Sequence, residues 1–126
     1  GQAVAAAVSP DGKYVIYAKQ EPVGQSLWLR QVAINNSDVQ IVPPKETEYT
    51  SFTYSHDGNF IYYVEGRSGV NSATLYRMSA LGLHPTKLFT DRGSLRIALS
   101  PDGQRLAFTR THPARANELI VASAEG

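Results

Sequence analysis

Ser9-Pro10-Asp11-Gly12, in one-letter code SPDG, recurs along the chain at almost constant spacing. It returns as SHDG at Ser55 to Gly58, 46 residues later, and as SPDG at Ser100 to Gly103, another 45 residues on. In such a stretch Asp can accept hydrogen bonds from turn N–H groups, Ser can bond a further backbone group, and Gly takes the positive φ of a tight hairpin. The sequence therefore predicts one turn three times, each copy joining two antiparallel strands. The turn residues are Ser9, Asp11, Gly12, Ser55, Asp57, Gly58, Ser100, Asp102 and Gly103.

Short segments rich in β-branched and aromatic residues surround each turn, as strands do. The segments that follow the turns do not alternate cleanly between apolar and polar residues, which indicates that both of their faces are covered. These segments are Tyr14 to Ala18, Phe60 to Val64 and Arg105 to Thr109. The other strand candidates are Val4 to Val8, Leu27 to Arg30, Val39 to Val42, Ser51 to Tyr54, Leu75 to Met78, Thr86 to Phe89, Leu95 to Leu99 and Leu119 to Ala122.

Four, four and three predicted strands at a period of about 45 residues are typical of β-propeller blades. The predicted fold class is all-β, with four-stranded antiparallel meanders in three repeats, the last lacking its outer strand. We expect one partial propeller over residues 1–126, with blades at about 3–44, 49–90 and 94–126. Prolines fall in the predicted connections, where a missing N–H does least harm. They are Pro22, Pro43, Pro44, Pro85 and Pro113.

Composition excludes several classes of function. The 126 residues are 42% apolar and 18% charged, which is a globular composition. A net charge of +1 gives no reason to expect nucleic-acid binding. The absence of cysteine excludes disulfides and thiolate metal sites. No apolar run is long enough for membrane insertion, and the ends, Gly1-Gln2 and Glu125-Gly126, suggest a piece of a larger protein.

The repeat resembles the WD-repeat-like propeller repeats of the TolB type, in which an S-P-D-G-K turn is followed by a hairpin reading L-Y-x-x-x-x-x-G-G-x-x-x-x-L. Leu75, Tyr76, Gly82 and Leu88 match the hairpin, and Ser100 to Gly103 with Phe108 match the turn and its strand. His56, Leu83 and Glu118 depart from the pattern. The resemblance implies a propeller of about six or seven blades when complete. It also implies a periplasmic or extracytoplasmic part of a bacterial envelope or signalling protein, although a cytoplasmic location stays open.

Loops at one end of a propeller usually carry its function. We define the loop face as the end that contains the loops between the second and third strands and the connections between repeats. The loops are Gln20 to Gln25, Gly66 to Ser72 and Thr111 to Ala116, and the connections are Pro43 to Tyr49 and Thr90 to Ser94. The opposite end, which contains the SPDG-type turns, is the turn face. Arginines here suit an acidic or carboxylate-bearing protein or small ligand, and the alternative is ordinary solvated charges. The candidate binding residues are Tyr49, Arg67, Arg92, Arg96, Arg110 and Arg115. Arg96 could also contact a small anion inside the channel, beside Thr50 or Thr53.

Other candidate chemistry finds little support. The three turn aspartates lie one to a turn, and a lone carboxylate does not build a calcium site. His56, His84 and His112 lack zinc-ligand spacing. There is no G-x-S-x-G nucleophile elbow and no phosphate-binding glycine motif. We therefore expect no catalytic residue, no metal and no cofactor. Trp28 and the strand tyrosines should pack between blades, with a stacking platform for a sugar or a base as the alternative.

The sequence thus predicts a non-enzymatic propeller segment that binds a protein partner or a small ligand. Two alternatives stay open. In one, the chain is the propeller portion of a prolyl-oligopeptidase-like hydrolase whose catalytic domain lies outside it. In the other, copies of the chain self-assemble into a closed ring as a homo-oligomer.

Overall fold

The computed structural model describes residues 2–67, 69–91, 96–110 and 118–124. Within them the chain forms strands and turns, with no α-helix and so none that could cross a lipid bilayer. Sheet 1 contains β1 (Gln2–Val8), β2 (Tyr14–Gln20), β3 (Gln25–Gln31) and β4 (Val39–Lys45). Sheet 2 contains β5 (Glu48–Tyr54), β6 (Phe60–Arg67), β7 (Val70–Ser79) and β8 (Thr86–Asp91). Sheet 3 contains β9 (Ile97–Leu99), β10 (Arg105–Arg110) and β11 (Glu118–Ser123).

Each sheet is an antiparallel meander in which every strand pairs with its neighbours in sequence. The first strands of the sheets, β1, β5 and β9, contact one another in succession and form a common inner edge. The predicted all-β fold with four-stranded antiparallel sheets is confirmed.

Sheet 2 is packed between the other two sheets. Successive residues of β6 point to opposite faces, so Ile61 and Tyr63 lie in a core shared with sheet 1, and Tyr62 and Val64 lie in a core shared with sheet 3. All four side chains are buried, which is why β6 shows no polar alternation. The Tyr62 hydroxyl donates a hydrogen bond of 2.9 Å to the Ala124 carbonyl across the second core.

The three SPDG-type turns have the same geometry. In the first, Asp11 Oδ1 accepts from Ser9 Oγ at 2.6 Å and from the Lys13 N–H at 2.9 Å, and Ser9 Oγ accepts from the Tyr14 N–H at 3.0 Å. The second and third turns repeat these bonds residue for residue. Gly12 has a φ of +74°, and the other two turn glycines are within a few degrees of it. Hydrogen bonds from the Ser side chain and the backbone hold the pKa of each turn aspartate below its ordinary value.

The expectation that every proline lies in a connection is wrong for Pro43 and Pro44, which lie inside β4. The physical reason is that β4 is the outermost strand of sheet 1, and no strand of the described residues pairs with its far side. A proline on such an edge removes no ladder hydrogen bond when its nitrogen points outwards. The register of β3 with β4 also shifts twice along their length.

Candidate functional site

The loop face brings the loops of sheets 1 and 2 into one framework. Buried Gln25, at the start of β3, accepts a 2.8 Å hydrogen bond from the Tyr49 N–H through its side-chain oxygen. Buried Thr47, between β4 and β5, donates to the Gly66 carbonyl at 2.9 Å and lies 3.0 Å from Glu65 Oε1. Lys45 Nζ forms an ion pair of 2.9 Å with the same Glu65 oxygen. These bonds fix the connection between the sheets against both neighbouring hairpins.

The described residues of this face border a groove on each side of sheet 2. The sheet 1–2 groove, of about 330 Å³, lies between the β2–β3 turn and the β6–β7 turn, with Val23 and Val70 on its sides and Glu46 to Glu48 along it. The sheet 2–3 groove, of about 600 Å³, runs from the start of β5 across the end of the β6–β7 hairpin to the start of β9. Both volumes are in the range of small-ligand sites.

Arg67 and Arg96 both line the sheet 2–3 groove, so the structure brings together two of the predicted site residues. Arg67 also borders the sheet 1–2 groove, where its Nη2 lies 3.3 Å from Glu46 Oε2. Arg96 is exposed and immediately precedes β9, whereas the sequence had suggested a strand from Leu95. Thr50 lies in the same groove as Arg96, and Thr53 does not line it.

Tyr49 does not belong to an exposed binding surface, and this part of the prediction is corrected. Its side chain is only 3% exposed and packs in the core between sheets 1 and 2. The ring lies 5.9 Å from that of Phe52 and 6.0 Å from that of Tyr63. Burial, followed by the charge of Glu65, raises the pKa of the Tyr49 hydroxyl. A β-bulge between Tyr49 and Ser51 turns this side chain to the same face as Phe52.

The remaining predicted arginines cannot be placed in the site. Arg92 and Arg115 lie outside the described residues, as does the loop Thr111 to Ala116. Arg110 ends β10, and its side chain is outside what the structure describes. These three residues stay predictions.

Three residues of the sheet 2–3 groove belong to the predicted loop face but were not among its candidate binding residues. Asn71 and Ser72 bulge from β7, because Gly66 pairs with Ala73 while the next residue, Arg67, already pairs with Val70. Both bulge residues line the groove, and so does Glu48 at the start of β5. The long, polar segment between the two strands is the signal that could have found them, since bulges at strand ends re-aim side chains.

The turn face is held together by contacts between successive turns. His56 Nε2 donates to the Ser100 carbonyl of the third turn at 2.7 Å, a bond that the sequence did not predict. Pro10 and His56 occupy the second position of their turns, and each lies next to the glycine of the following turn. In the described part of the chain, no three His, Asp or Glu side chains gather as metal ligands would.

The outer faces of the end sheets carry side chains of a different character. On sheet 1, Asp38 accepts hydrogen bonds from the Tyr17 hydroxyl and from Arg30 Nε, the latter at 2.9 Å, and Lys19 Nζ lies 4.7 Å from the centre of the Trp28 ring. Partial burial, and then the hydrogen bond to Asp38, raise the pKa of Tyr17 to about 12. On the outer face of sheet 3, the large apolar side chains Leu119 and Val121 are 71% and 57% exposed.

Comparison with known proteins shows the fold and no family. No family model matches the chain, and no curated protein matches it. Among solved structures, TolB from Acinetobacter baumannii superposes with a TM-score of 0.77 at 18% identity, over 96% of this chain and 29% of that one. A putative dipeptidyl aminopeptidase IV from Bacteroides ovatus gives a TM-score of 0.76 at 14% identity, over 99% and 24%. A structure from a study of two prolyl endopeptidases gives a TM-score of 0.67 at 10% identity, over 97% of this chain and 20% of that one.

This chain therefore spans less than a third of each of these structures. Identities this low carry information about the fold alone. The superpositions, together with the three successive antiparallel sheets, show that the fold is propeller-like.

Proposed function

We propose that this chain is a non-catalytic binding module that contacts a protein partner or a small ligand through its loop face. The observation that carries the proposal is the contrast between the two ends of the sheets. On the turn face, the serine and aspartate side chains that line its grooves of about 350 and 410 Å³ bond within their own turns, and His56 of the second turn donates to the Ser100 carbonyl of the third. On the loop face, polar and charged side chains line two open grooves on a framework fixed by buried bonds.

The physical argument is that binding groups are most effective when they are exposed but held in place. Gln25 and Thr47 fix the backbone beneath the grooves, so ordering the site on binding costs little conformational entropy. A periplasmic or otherwise extracytoplasmic bacterial location and the TolB-type repeat family are further parts of the proposal, and the repeat motifs support them.

The test is an unbiased selection of peptides from a display library on the immobilised 126-residue chain. Selected peptides are then measured against two matched variants, Arg67→Ser on the loop face and Arg105→Ser at the turn end of β10. Both side chains are exposed, so neither change should disturb the core. We expect weaker binding for Arg67→Ser and unchanged binding for Arg105→Ser. Selected peptides whose binding responds only to Arg105→Ser would refute the loop-face assignment.

A second candidate is a ring completed by another copy, and the exposed aliphatic side chains of the end sheets favour it. Val8 on β1 is 59% exposed and Leu119 on β11 is 71% exposed, and a second copy that closed the ring would bury both of these side chains. Light scattering should then give a mass near twice 13.7 kDa. Leu119→Glu should abolish the dimer, while Leu81→Glu, on the β7–β8 turn and 72% exposed, should leave it intact. A monomer at all concentrations would rule this candidate out.

A further inference from the structure

Two arginines and one carboxylate line the sheet 2–3 groove, so its lining carries more positive than negative charge. Arg96 has no ion-pair partner among the described residues, and Glu48 is the one carboxylate that lines the groove with the two arginines. Within the described part of the chain, Arg67 pairs with Glu46 alone, at 3.3 Å, and the two side chains are 64% and 77% exposed. An ion pair this open is weak, so Arg67 can exchange it for a ligand at little cost.

The rest of the groove is polar on one side and apolar on the other. The bulge of β7 presents Asn71 and Ser72, whose side chains can donate and accept hydrogen bonds. Val70 and Ile97 supply apolar contact. The groove thus combines cationic anchors with neutral polar groups and a short apolar wall, within about 600 Å³.

We propose that the sheet 2–3 groove binds a carboxylate group, with Arg96 as its main anchor and Arg67 as the second cation. This inference rests on the proposed binding function and names the chemistry of its ligand. A guanidinium matches a carboxylate with two parallel N–H···O bonds, which a lysine cannot reproduce. Glu48 in the same groove disfavours a doubly charged phosphate more than a singly charged carboxylate.

The carboxylate can belong to an acidic side chain or to a peptide C-terminus, and the probes separate these sources. The first probe is a short N-acetylated, C-amidated peptide with one central glutamate. The second is the same peptide with glutamine in that place, and the third has the glutamine and a free C-terminal carboxylate. Binding to the 126-residue chain is followed by NMR titration at low salt, where charge interactions are least screened.

We expect the first or the third probe to bind at least about tenfold more tightly than the neutral second probe. Arg96→Gln should reduce that binding by about tenfold or more, and Arg96→Lys should restore only part of it. Arg105→Gln is the matched control and should change nothing. Both arginines are exposed, and the NMR spectrum of each variant shows whether its fold is intact.

Equal binding of the acidic and neutral probes, an unchanged affinity in Arg96→Gln, or no binding of any acidic probe would overturn the inference. Tighter binding of a phosphoserine version than of the glutamate peptide would also overturn it. The library selection separates these failures from failure of the proposed function. If selected peptides lack acidic residues but lose affinity in Arg67→Ser, the binding function stands and the carboxylate assignment falls. If no selected peptide responds to loop-face changes, both fall.

Discussion

Replacing Tyr49 with alanine should destabilise the whole chain, because the structure makes this residue part of the core. The ring contacts Phe52 and Tyr63 and is buried between sheets 1 and 2. Removing a buried aromatic side chain costs about 3–5 kcal/mol. A chain of this size has a free energy of unfolding of roughly 5–15 kcal/mol, so a large part of the stability would be lost.

The assay is urea unfolding followed by far-ultraviolet circular dichroism. With a denaturant dependence of about 2 kcal/mol per molar urea, the midpoint for Tyr49→Ala should fall by roughly 1.5–2.5 M. Tyr49→Phe keeps the ring and its two aromatic neighbours, and its midpoint should stay within about 0.5 M of the wild type. Arg67→Ala, on the exposed loop face, should change the free energy of unfolding by no more than about 0.5 kcal/mol.

An unchanged midpoint in Tyr49→Ala would refute the reasoning. Such a result is what an exposed loop side chain would give, and it would return Tyr49 to the candidate binding surface. A large fall of the urea midpoint in both Tyr49→Ala and Tyr49→Phe would instead show that the hydroxyl group, and not the packing of the ring, supplies the stabilisation.

Three further predictions concern the turns and loops. Gly24→Ala should be far more destabilising than Gly12→Ala in the same urea assay, because the new Cβ at position 24 would lie 1.8 Å from the Lys45 carbonyl oxygen. Gly12 faces open space, so Gly12→Ala should lower the free energy of unfolding by only about 1–2 kcal/mol, through the positive φ of this residue. Similar losses of stability in the two variants would contradict this. His56→Ala should cost about 0.5–1.5 kcal/mol by removing the bond to the Ser100 carbonyl, and a neutral result would show that the bond adds no net stability. The turn aspartates have lowered pKa values in the folded state, so their contribution is complete above the ordinary carboxyl pKa of about 4 and is lost as the pH falls through the lowered values. Urea midpoints between pH 6 and pH 3 should therefore fall less steeply when these residues are changed to asparagine, and equal slopes would contradict it. The three changes are Asp11→Asn, Asp57→Asn and Asp102→Asn.

Most of the fold could be predicted from the sequence because its signals are local and repeated. The SPDG turns carry their own hydrogen bonds within about five residues, so the sequence specifies them without tertiary context. The burial of both faces of β6 could also be read from its unbroken apolar run. Each of these features depends on residues that are close together in the chain.

Features set by neighbouring sheets could not be predicted in the same way. Tyr49 and Phe52 are three residues apart and would face opposite sides of a regular strand, but the bulge in β5 puts both in one core. Whether Pro43 is tolerated within a strand depends on β4 being an edge, which only the assembled sheet decides. The bulge at Asn71 and Ser72 likewise arises from the pairing register of β6 with β7.

The same distinction supports the proposal that binding occurs on the loop face. A turn whose polar groups bond one another gains stability and has less capacity left for a ligand, as in the stacked turns joined by the His56 bond to the Ser100 carbonyl. On the loop face, the buried polar side chains of Gln25 and Thr47 hydrogen-bond to the backbone and fix it. The exposed Arg96, in contrast, has no ion-pair partner in the described residues, so its guanidinium is available to a ligand. The proposal therefore assigns stability and ligand recognition to opposite ends of the same sheets, and it predicts that changes at Arg96 alter binding without weakening the fold.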